Sequence, residues 1–382
     1  MTSPRRTAVA VTAAALALGL LAPAAARADS EPSPTPIPTA GSGMAAVLSP
    51  DGDRLYVAER IADASDRQEP GVLEVIDTAT NTVTRRITVG TAPAYLAINS
   101  TGSRVYVPNA GSGTVSVVNA VRNRVVATVK TGGEPFRTLV SPDDKTVFVS
   151  TRGAGELVAI DTTTNTVRKR LKLGGDVDAL ALCASGRRLL VSNFSENRLD
   201  VVDISTLSVV KQVKMRGKPL RAVPTPDRRY VLVSLWDKGA VSVLDAQTYA
   251  HIAEVKVGGE PTPAIAMPGS RSAWVGSIAD KGVKEIDLEH AAHGNVTIRR
   301  TVATGADPFF LLLNARATAL YVANRASRSI SVVCTRDGRL ARTVPTMGAP
   351  RWLVGGPSLY AVEADGYVEA FPAPILGQGP CR

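Results

Sequence analysis

Short runs of Val, Ile and Leu alternate along the chain with clusters of Gly, Pro, Asn, Asp and Thr. In residues 136–173 this pattern predicts four strands of 5 to 7 residues, separated by the turn SPDD, a Gly-rich loop and the turn TTTN. Outside the N-terminus, no window shows the period of about 3.6 residues that is typical of an amphipathic helix. The pattern therefore predicts an all-β protein with little helix.

The four-strand unit recurs with a nearly fixed period. Aligned copies begin at Pro93, Pro135, Val177, Pro219, Pro261, Pro308 and Pro350, with spacings of 42, 42, 42, 42, 47 and 42 residues. An earlier copy begins near Gly43. Four strands in a repeat of this length predict the blade of a β-propeller. Counting the innermost strands gives a single propeller over residues 43–372 with eight four-stranded blades; seven blades, with the last copy as an appendage, is the alternative.

The eighth copy, residues 349–374, contains three predicted strands and no fourth. An unpaired third strand would expose a row of backbone hydrogen-bonding groups. The Pro-rich segment 29–42 contains the only spare extended stretch, residues 34–39, and proline is tolerated on edge strands. We therefore predict that this stretch closes the ring and that residues 373–382 form a C-terminal tail.

Two stretches of the repeat resemble a known family. SPDGDRLYVAE…GVLEVIDTATNTVTRRITVG (49–90) and TGSRVYVPNAGSGTVSVVNA (101–120) resemble the YVTN-type β-propeller repeat of bacterial surface and exported proteins. The resemblance extends over about residues 43–371. It implies the propeller fold and says little about activity, because one fold hosts many functions.

Residues 1–28 have the pattern of a secretory signal. Arg5 and Arg6 precede a 14-residue apolar run, and Ala-Arg-Ala at 26–28 matches an A-x-A cleavage site. The run is too short to span a membrane, and nothing later is apolar enough to do so. We therefore expect a secreted, extracellular or cell-envelope protein without a membrane span, exported by the general or the twin-arginine route.

Export to an oxidising compartment permits disulfides, and the chain has three cysteines. Cys334 replaces the Asp that usually ends the third strand of a repeat, which places it on one face of the ring. Cys381 lies in the tail that leaves the last repeat on the same face. We predict a Cys334–Cys381 bridge that attaches the C-terminus, and a buried, free Cys183.

Loops on the two faces of the predicted ring differ in their variability. The turns on one face are near-identical copies, such as SPDG, SPDD and TPDR, whereas those on the other face vary. Because variable loops often carry recognition, we expect a ligand site at the channel mouth on the variable face. The side chains predicted to surround this mouth are charged or aromatic: Glu134, Arg137, Asp176, Asp178, Arg221, Trp236, Glu260, Asp307, Arg351 and Trp352.

Catalytic signals are scarce. The sequence has no H-E-x-x-H, no phosphate-binding loop and no C-x-x-C. His290 and His293 form an H-x-x-H pair, but no further ligand has zinc-site spacing, and we interpret the pair as part of a polar linker. We therefore predict no catalytic residue, no metal ligand and no cofactor.

These observations favour a secreted, monomeric, non-catalytic propeller that binds an unidentified protein or polar ligand at the cell surface. One alternative is a lactonase-like hydrolase or lyase that uses a metal held by acidic residues in the channel. A second alternative is the binding of a polyanion, either nucleic acid or a cell-wall polymer, because the chain has a net charge of +10. Many of its Lys and Arg residues lie on the predicted outer strands, where they also discourage edge-to-edge aggregation.

Overall fold

The computed structural model describes residues 33–62, 68–183, 186–372 and Cys381. The predicted signal segment 1–28 and the tail, except for Cys381, lie outside the described residues. The described chain forms eight antiparallel sheets of four strands each. The eight-bladed, all-β prediction is therefore confirmed. Among the described residues, no helix is long and apolar enough to cross a membrane.

Each of the first seven blades uses four consecutive strands, beginning with the innermost. Blades 1 and 2 contain β2 (Ser42–Leu48), β3 (Arg54–Ala62), β4 (Gln68–Asp77) and β5 (Thr82–Thr91), then β6 (Ala97–Ile98), β7 (Arg104–Asn109), β8 (Thr114–Asn119) and β9 (Arg124–Lys130). Blades 3 and 4 contain β10 (Pro135–Val140), β11 (Thr146–Thr151), β12 (Glu156–Asp161) and β13 (Thr166–Lys172), then β14 (Val177–Leu182), β15 (Arg188–Asn193), β16 (Arg198–Asp203) and β17 (Ser208–Lys214).

The second half of the ring repeats this plan. Blades 5 and 6 contain β18 (Pro219–Pro224), β19 (Tyr230–Leu235), β20 (Ala240–Asp245) and β21 (His251–Lys256), then β22 (Ile265–Ala266), β23 (Ser272–Ser277), β24 (Gly282–Asp287) and β25 (Thr297–Ala303). Blade 7 contains β26 (Pro308–Leu313), β27 (Ala319–Asn324), β28 (Ser329–Cys334) and β29 (Leu340–Pro345). Two short 3₁₀ helices, Trp236–Lys238 and Ala291–His293, lie in connections.

The burial pattern explains why these sequences form blades. The second strands are covered on both faces by neighbouring blades, so every residue of β11 (Thr146–Thr151) is buried, including its threonines and serine. The outermost strand β13 is mostly exposed and carries the charged residues. The core is therefore divided among the interfaces between blades, and the innermost strands remain free to line a central channel.

Blade 8 joins the two ends of the chain. It contains β30 (Pro350–Gly355), β31 (Leu359–Glu363), β32 (Tyr367–Phe371) and, as its outer strand, β1 (Thr35–Pro38) from the N-terminal Pro-rich segment. Ile37 pairs with Val368, is 2% exposed and packs in the cluster that includes Tyr360 and Val362. The outer strand can contain prolines because one of its edges needs no backbone donors.

The predicted disulfide is also confirmed. Cys334, at the end of β28, is bonded to Cys381, and their Cα atoms are 5.0 Å apart. Cys381 packs against the apolar cluster of blades 7 and 8. Cys183 is free and buried, as predicted.

Candidate functional site

The channel mouth is built from equivalent positions of the innermost strands. In each copy the position lies two residues after the start of the repeat. The pairing of the innermost strand with its neighbour is interrupted by a bulge there in β2, β10, β26 and β30. Bulges re-aim side chains, and here they accompany side chains that face the channel. In chain order the eight residues at this position are Ala45, Tyr95, Arg137, Ala179, Arg221, Pro263, Phe310 and Trp352.

One side of the mouth is an aromatic wall, which we define as Phe136, Tyr95, Trp352 and Phe310. The Tyr95 ring centroid lies 5.0 Å from that of Phe136 and 5.4 Å from that of Trp352. The centroids of Phe310 and Trp352 are 4.2 Å apart. The two separations from Tyr95 lie in the range of about 4.5–7 Å that favourable aromatic pairs adopt, and Phe310 and Trp352 are in closer contact. The wall therefore presents a continuous π surface across blades 7, 8, 2 and 3.

Backbone contacts fix this wall in place. The Tyr95 N–H donates to the Phe136 carbonyl at 3.0 Å, and the Thr138 N–H donates to the Tyr95 carbonyl at 3.0 Å, so β10 holds Tyr95 directly. The Trp352 Nε1–H donates to the Ala46 carbonyl at 3.0 Å, across the junction of blades 8 and 1. The small Ala45 between Trp352 and Tyr95 leaves room for these rings to meet.

The mouth also collects arginines, and two of them are neutralised. Arg152 forms an ion pair with Asp178 at 2.7 Å, and its guanidinium lies 3.3 Å from the Phe136 ring centroid. Arg325, at the same repeat position in blade 7, forms an ion pair with Asp307 at 2.6 Å. These two pairs extend the rim of the mouth without adding net charge.

Four other arginines have no acidic partner within the part of the chain that the structure describes: Arg60, Arg137, Arg221 and Arg351. The Arg137 guanidinium lies 4.1 Å from the Tyr95 ring centroid, and the Arg351 Nη1 donates to the Met44 Sδ at 3.4 Å. The Nε atoms of Arg137, Arg221 and Arg351 are buried and make no hydrogen bond with the described residues. The mouth is therefore positively charged and has unused hydrogen-bond donors.

The pKa values of two of these arginines reflect that environment. Burial, together with the nearby charge of Arg137, lowers the pKa of the Arg221 guanidinium to about 10. Burial also lowers the pKa of Arg60, and the charges of Arg351 and Arg152 act in the same direction. Both shifts indicate positive charges that lack counter-ions, since an adjacent carboxylate would act in the opposite direction.

Between the aromatic wall and the arginines lies a cavity of about 600 Å³, within the range of about 300–1,000 Å³ typical of small-molecule sites. Much of its lining is apolar, including Leu220, Val223, Ile265, Ile278, Leu312 and Val354. The aromatic and charged lining residues are Tyr95, Phe136, Arg137, Arg152, Asp178, Arg221, Trp236, Phe309, Phe310 and Trp352.

Only some of the ten residues predicted for the mouth line the cavity. Five of them do so: Arg137, Asp178, Arg221, Trp236 and Trp352. Arg351 contacts Met44 beside the cavity. Glu134, Asp176 and Glu260 are exposed and do not line it. Asp307 is engaged by Arg325.

The acidic residues that the lactonase-like alternative needs in the channel are therefore not brought together. Among the described residues, no group of three or more His, Cys, Asp or Glu side chains could hold a metal ion. Glu260 and Asp307 have φ values of +53° and +59°, so the backbone turns at the position where these carboxylates were expected to join the ring.

Sequence reasoning missed Tyr95, Phe136, Phe310 and Arg60. The signal was present for two of them, because Tyr95 and Phe310 occupy the same repeat position as Arg137 and Trp352. Aromatic residues in a strand resemble core residues, and only the structure shows which of them face the channel.

Comparison with known proteins gives a family match over the centre of the chain. The profile of the Cytochrome D1 heme domain matches residues 98–233, from β6 to β19. The centre of this chain thus resembles a heme domain. The matched stretch contains Arg137 and Arg221. No curated protein matches the chain significantly.

Several solved structures are similar. Hydrazine synthase from Kuenenia stuttgartiensis has a TM-score of 0.60 at 21% identity, covering 77% of this chain and 96% of its own. The dihydro-heme d1 dehydrogenase NirN, in complex with DHE, has a TM-score of 0.68 at 16% identity, covering 81% of this chain and 66% of its own. A protein of unknown function from Desulfotomaculum acetoxidans has a TM-score of 0.59 at 16% identity, covering 87% of this chain and 100% of its own. At these identities the likeness establishes the fold alone.

These findings correct the function expected from the sequence. The family whose profile matches the centre of the chain is a heme domain. The expectation of a non-catalytic binding module is therefore wrong, and neither the lactonase-like nor the polyanion-binding alternative matches this family. Export from the cell stays a prediction. The resemblance to YVTN-type repeats is supported as far as the propeller architecture.

Proposed function

We propose that this propeller binds a heme of the d1 class, or a closely related carboxylated tetrapyrrole, in the mouth cavity and takes part in redox chemistry of that group. The observation that carries the proposal is the combination of the aromatic wall with Arg137 and Arg221, two arginines without acidic partners. A planar aromatic macrocycle with carboxylate side chains complements both features.

The residues of the cavity fit both the macrocycle and the carboxylates of such a tetrapyrrole. Arg137, Arg221 and Arg351 have buried Nε–H donors without partners, and buried donors of this kind are costly unless a ligand satisfies them. Tyr95 and Trp352 would contact the macrocycle through their rings. The bound heme would supply the electron-transfer chemistry, whereas the protein would bind it, orient it and exclude water.

The comparisons support this proposal in two ways. The match to the Cytochrome D1 heme domain spans the blades that carry Arg137 and Arg221. NirN, whose name describes a dihydro-heme d1 dehydrogenase, has the same fold. This chain spans 66% of the NirN chain, and a shared activity is part of the proposal rather than a consequence of the shared fold.

The proposal is tested by titrating the full chain with heme d1 and with hemin while following heme absorbance and tryptophan fluorescence. We expect saturable binding with quenching, because Trp352 lies in the cavity wall. Replacing a buried arginine that contacts a carboxylate costs about 2–5 kcal/mol, so Arg221→Met should weaken binding by about 30-fold or more.

Arg168→Met is the matched control, since Arg168 is an exposed arginine of the outer strand β13. It should leave the dissociation constant unchanged. If neither tetrapyrrole binds, or if Arg168→Met and Arg221→Met weaken binding equally, the proposed function is wrong.

A further inference from the structure

The residues that most often bind heme iron in proteins are absent from the mouth. His251 lies on the outer strand β21, where its Nδ1 is 3.0 Å from the Ser242 Oγ and its Nε2 is 3.0 Å from the Lys214 carbonyl oxygen. His290 and His293 lie at the 3₁₀ helix between β24 and β25. The sequence contains no other histidine. Imidazole ligation from this chain is therefore not available at the cavity.

The cysteines are equally remote from the cavity lining. Cys183 is buried beside Tyr249, with its Sγ 3.4 Å from the phenol oxygen. Cys334 and Cys381 are bonded to each other. The sequence has no fourth cysteine, so thiolate ligation at the mouth is also not available.

Among the weaker iron donors near the mouth, Met44, Asp178 and Asp307 are already engaged, and the Tyr95 ring is packed within the aromatic wall. The Met44 Sδ accepts a hydrogen bond from the Arg351 Nη1 at 3.4 Å. The Tyr95 ring is held between Phe136 and Trp352, with the Arg137 guanidinium 4.1 Å from its centroid. The carboxylates of Asp178 and Asp307 are held in ion pairs by Arg152 and Arg325.

The arginines without acidic partners instead flank a position that carries a small side chain. Arg137 and Arg221 occupy equivalent positions in blades 3 and 5, and the residue between them, in blade 4, is Ala179. All three line the cavity. Two like charges across a methyl side chain repel each other, and the lowered pKa of Arg221 includes the effect of Arg137. An anionic group between them would relieve this repulsion and satisfy the free Nε–H groups.

We infer that the mouth recognises its tetrapyrrole by the carboxylate edge, held between Arg137 and Arg221, and by a ring face against the aromatic wall, without an iron ligand from this chain. This inference rests on the proposed function and specifies its ligand class. The preferred ligand is a polycarboxylate tetrapyrrole, bound with similar affinity whether or not the ring contains a metal. The affinity for a tetrapyrrole should increase with its number of carboxylates, because arginines are the main polar groups of the cavity that can bind them.

The test compares metal-free coproporphyrin, a tetracarboxylate, with its iron complex and with the dicarboxylate protoporphyrin, using fluorescence quenching of the full chain. We expect the metal-free and iron forms of coproporphyrin to bind within about threefold of each other. Protoporphyrin should bind about 10-fold or more weakly, because each charge-assisted hydrogen bond contributes about 1.5–3 kcal/mol, equivalent to about 10–100-fold in affinity.

Variants distinguish recognition of the carboxylate edge from ligation of the iron. Arg137→Met and Arg221→Met should each weaken coproporphyrin binding by about 10-fold or more. Met44→Leu and Tyr95→Phe should leave the ratio of the affinities for iron and metal-free coproporphyrin unchanged, because neither side chain binds the iron. Arg221→Lys keeps the charge but loses the fork geometry, and should bind with intermediate affinity.

The inference is overturned if the iron complex binds more than about 10-fold more tightly than metal-free coproporphyrin and Met44→Leu or Tyr95→Phe removes the difference. It is also overturned if protoporphyrin and coproporphyrin bind equally well. Both results would leave the proposed function standing, since a tetrapyrrole still binds. If no tetrapyrrole binds in any form, the inference and the proposed function fail together.

Discussion

Replacing Arg221 by methionine should stabilise the ligand-free propeller while weakening its ligand binding. Arg221 lies in the channel without an acidic partner among the described residues, and burial with the charge of Arg137 lowers its pKa to about 10, well below the ordinary value of a guanidinium. One pKa unit corresponds to about 1.4 kcal/mol, so the charged form is disfavoured by about 3 kcal/mol relative to a fully solvated guanidinium. Because the channel is partly open to solvent, screening reduces this penalty, and we expect a gain of about 1–2 kcal/mol.

Urea denaturation of the full chain provides the measurement. Without ligand, Arg221→Met should shift the midpoint upwards, whereas the surface control Arg168→Met should not. With a tetrapyrrole at about 100 times its dissociation constant, the natural protein should gain about 2.7 kcal/mol and the Arg221→Met variant should gain much less. The two experiments together therefore separate stability from binding.

The result that would refute this reasoning is a clear loss of stability. If Arg221→Met lowers the free energy of unfolding by more than about 1 kcal/mol, the guanidinium makes structural contacts that outweigh its unpaired charge. If the variant is stabilised but binds the tetrapyrrole normally, Arg221 is an unpaired charge that does not serve the ligand.

Three further predictions concern the closure of the ring and its termini. Glu59 and Glu363 are fully buried. Burial and the charge of a neighbouring glutamate raise their pKa values from 4.5 to about 8 for Glu59 and about 9 for Glu363. The folded protein therefore keeps protons that the unfolded chain releases near pH 4.5. Stability should fall as the pH rises through this window, and the slope measured by denaturation should be smaller in Glu59→Gln. Ile37→Ala should lower the free energy of unfolding by about 2–4 kcal/mol, measured against the exposed control Pro36→Ala; a loss below about 0.5 kcal/mol would mean that β1 is dispensable. Cys381→Ser opens a loop with a sequence separation of 47 and should cost up to about 4 kcal/mol, and thiol titration of the denatured, unreduced natural protein should find one free thiol rather than three.

The fold was predictable because the same pattern of strand and turn residues recurs in each repeat. Equivalent turns use asparagine in the left-handed region, as at Asn81, Asn123 and Asn165 with φ values of +53°, +48° and +53°. Cys334 stood out because it replaces the aspartate that ends the same strand in other copies. Each of these signals is local in sequence, and repetition makes it unambiguous.

The site was predictable only in part, because side-chain direction at the mouth depends on backbone detail that the repeat pattern does not encode. Arg137, Arg221 and Trp352 were identified from their charge or size, and the bulges aim them into the cavity. Glu260 was expected beside them, but its left-handed backbone belongs to a turn and its side chain is exposed. Tyr95 was missed because an aromatic residue in a strand has the same pattern as a core residue.

The blade architecture explains why chemistry concentrates at one repeat position. The second and third strands are buried between blades, so their residues are constrained by packing, and the outer strands face solvent. At the position two residues after the repeat start, seven of the eight side chains line the channel cavity, and the residue type there varies from blade to blade. In this chain the eight copies of that position hold aromatic residues in blades 2, 7 and 8 and arginines in blades 3 and 5. A ring that is symmetric in its backbone thereby becomes asymmetric in its channel, and that asymmetry is what a flat ligand with one acidic edge requires if it is to bind in a single orientation.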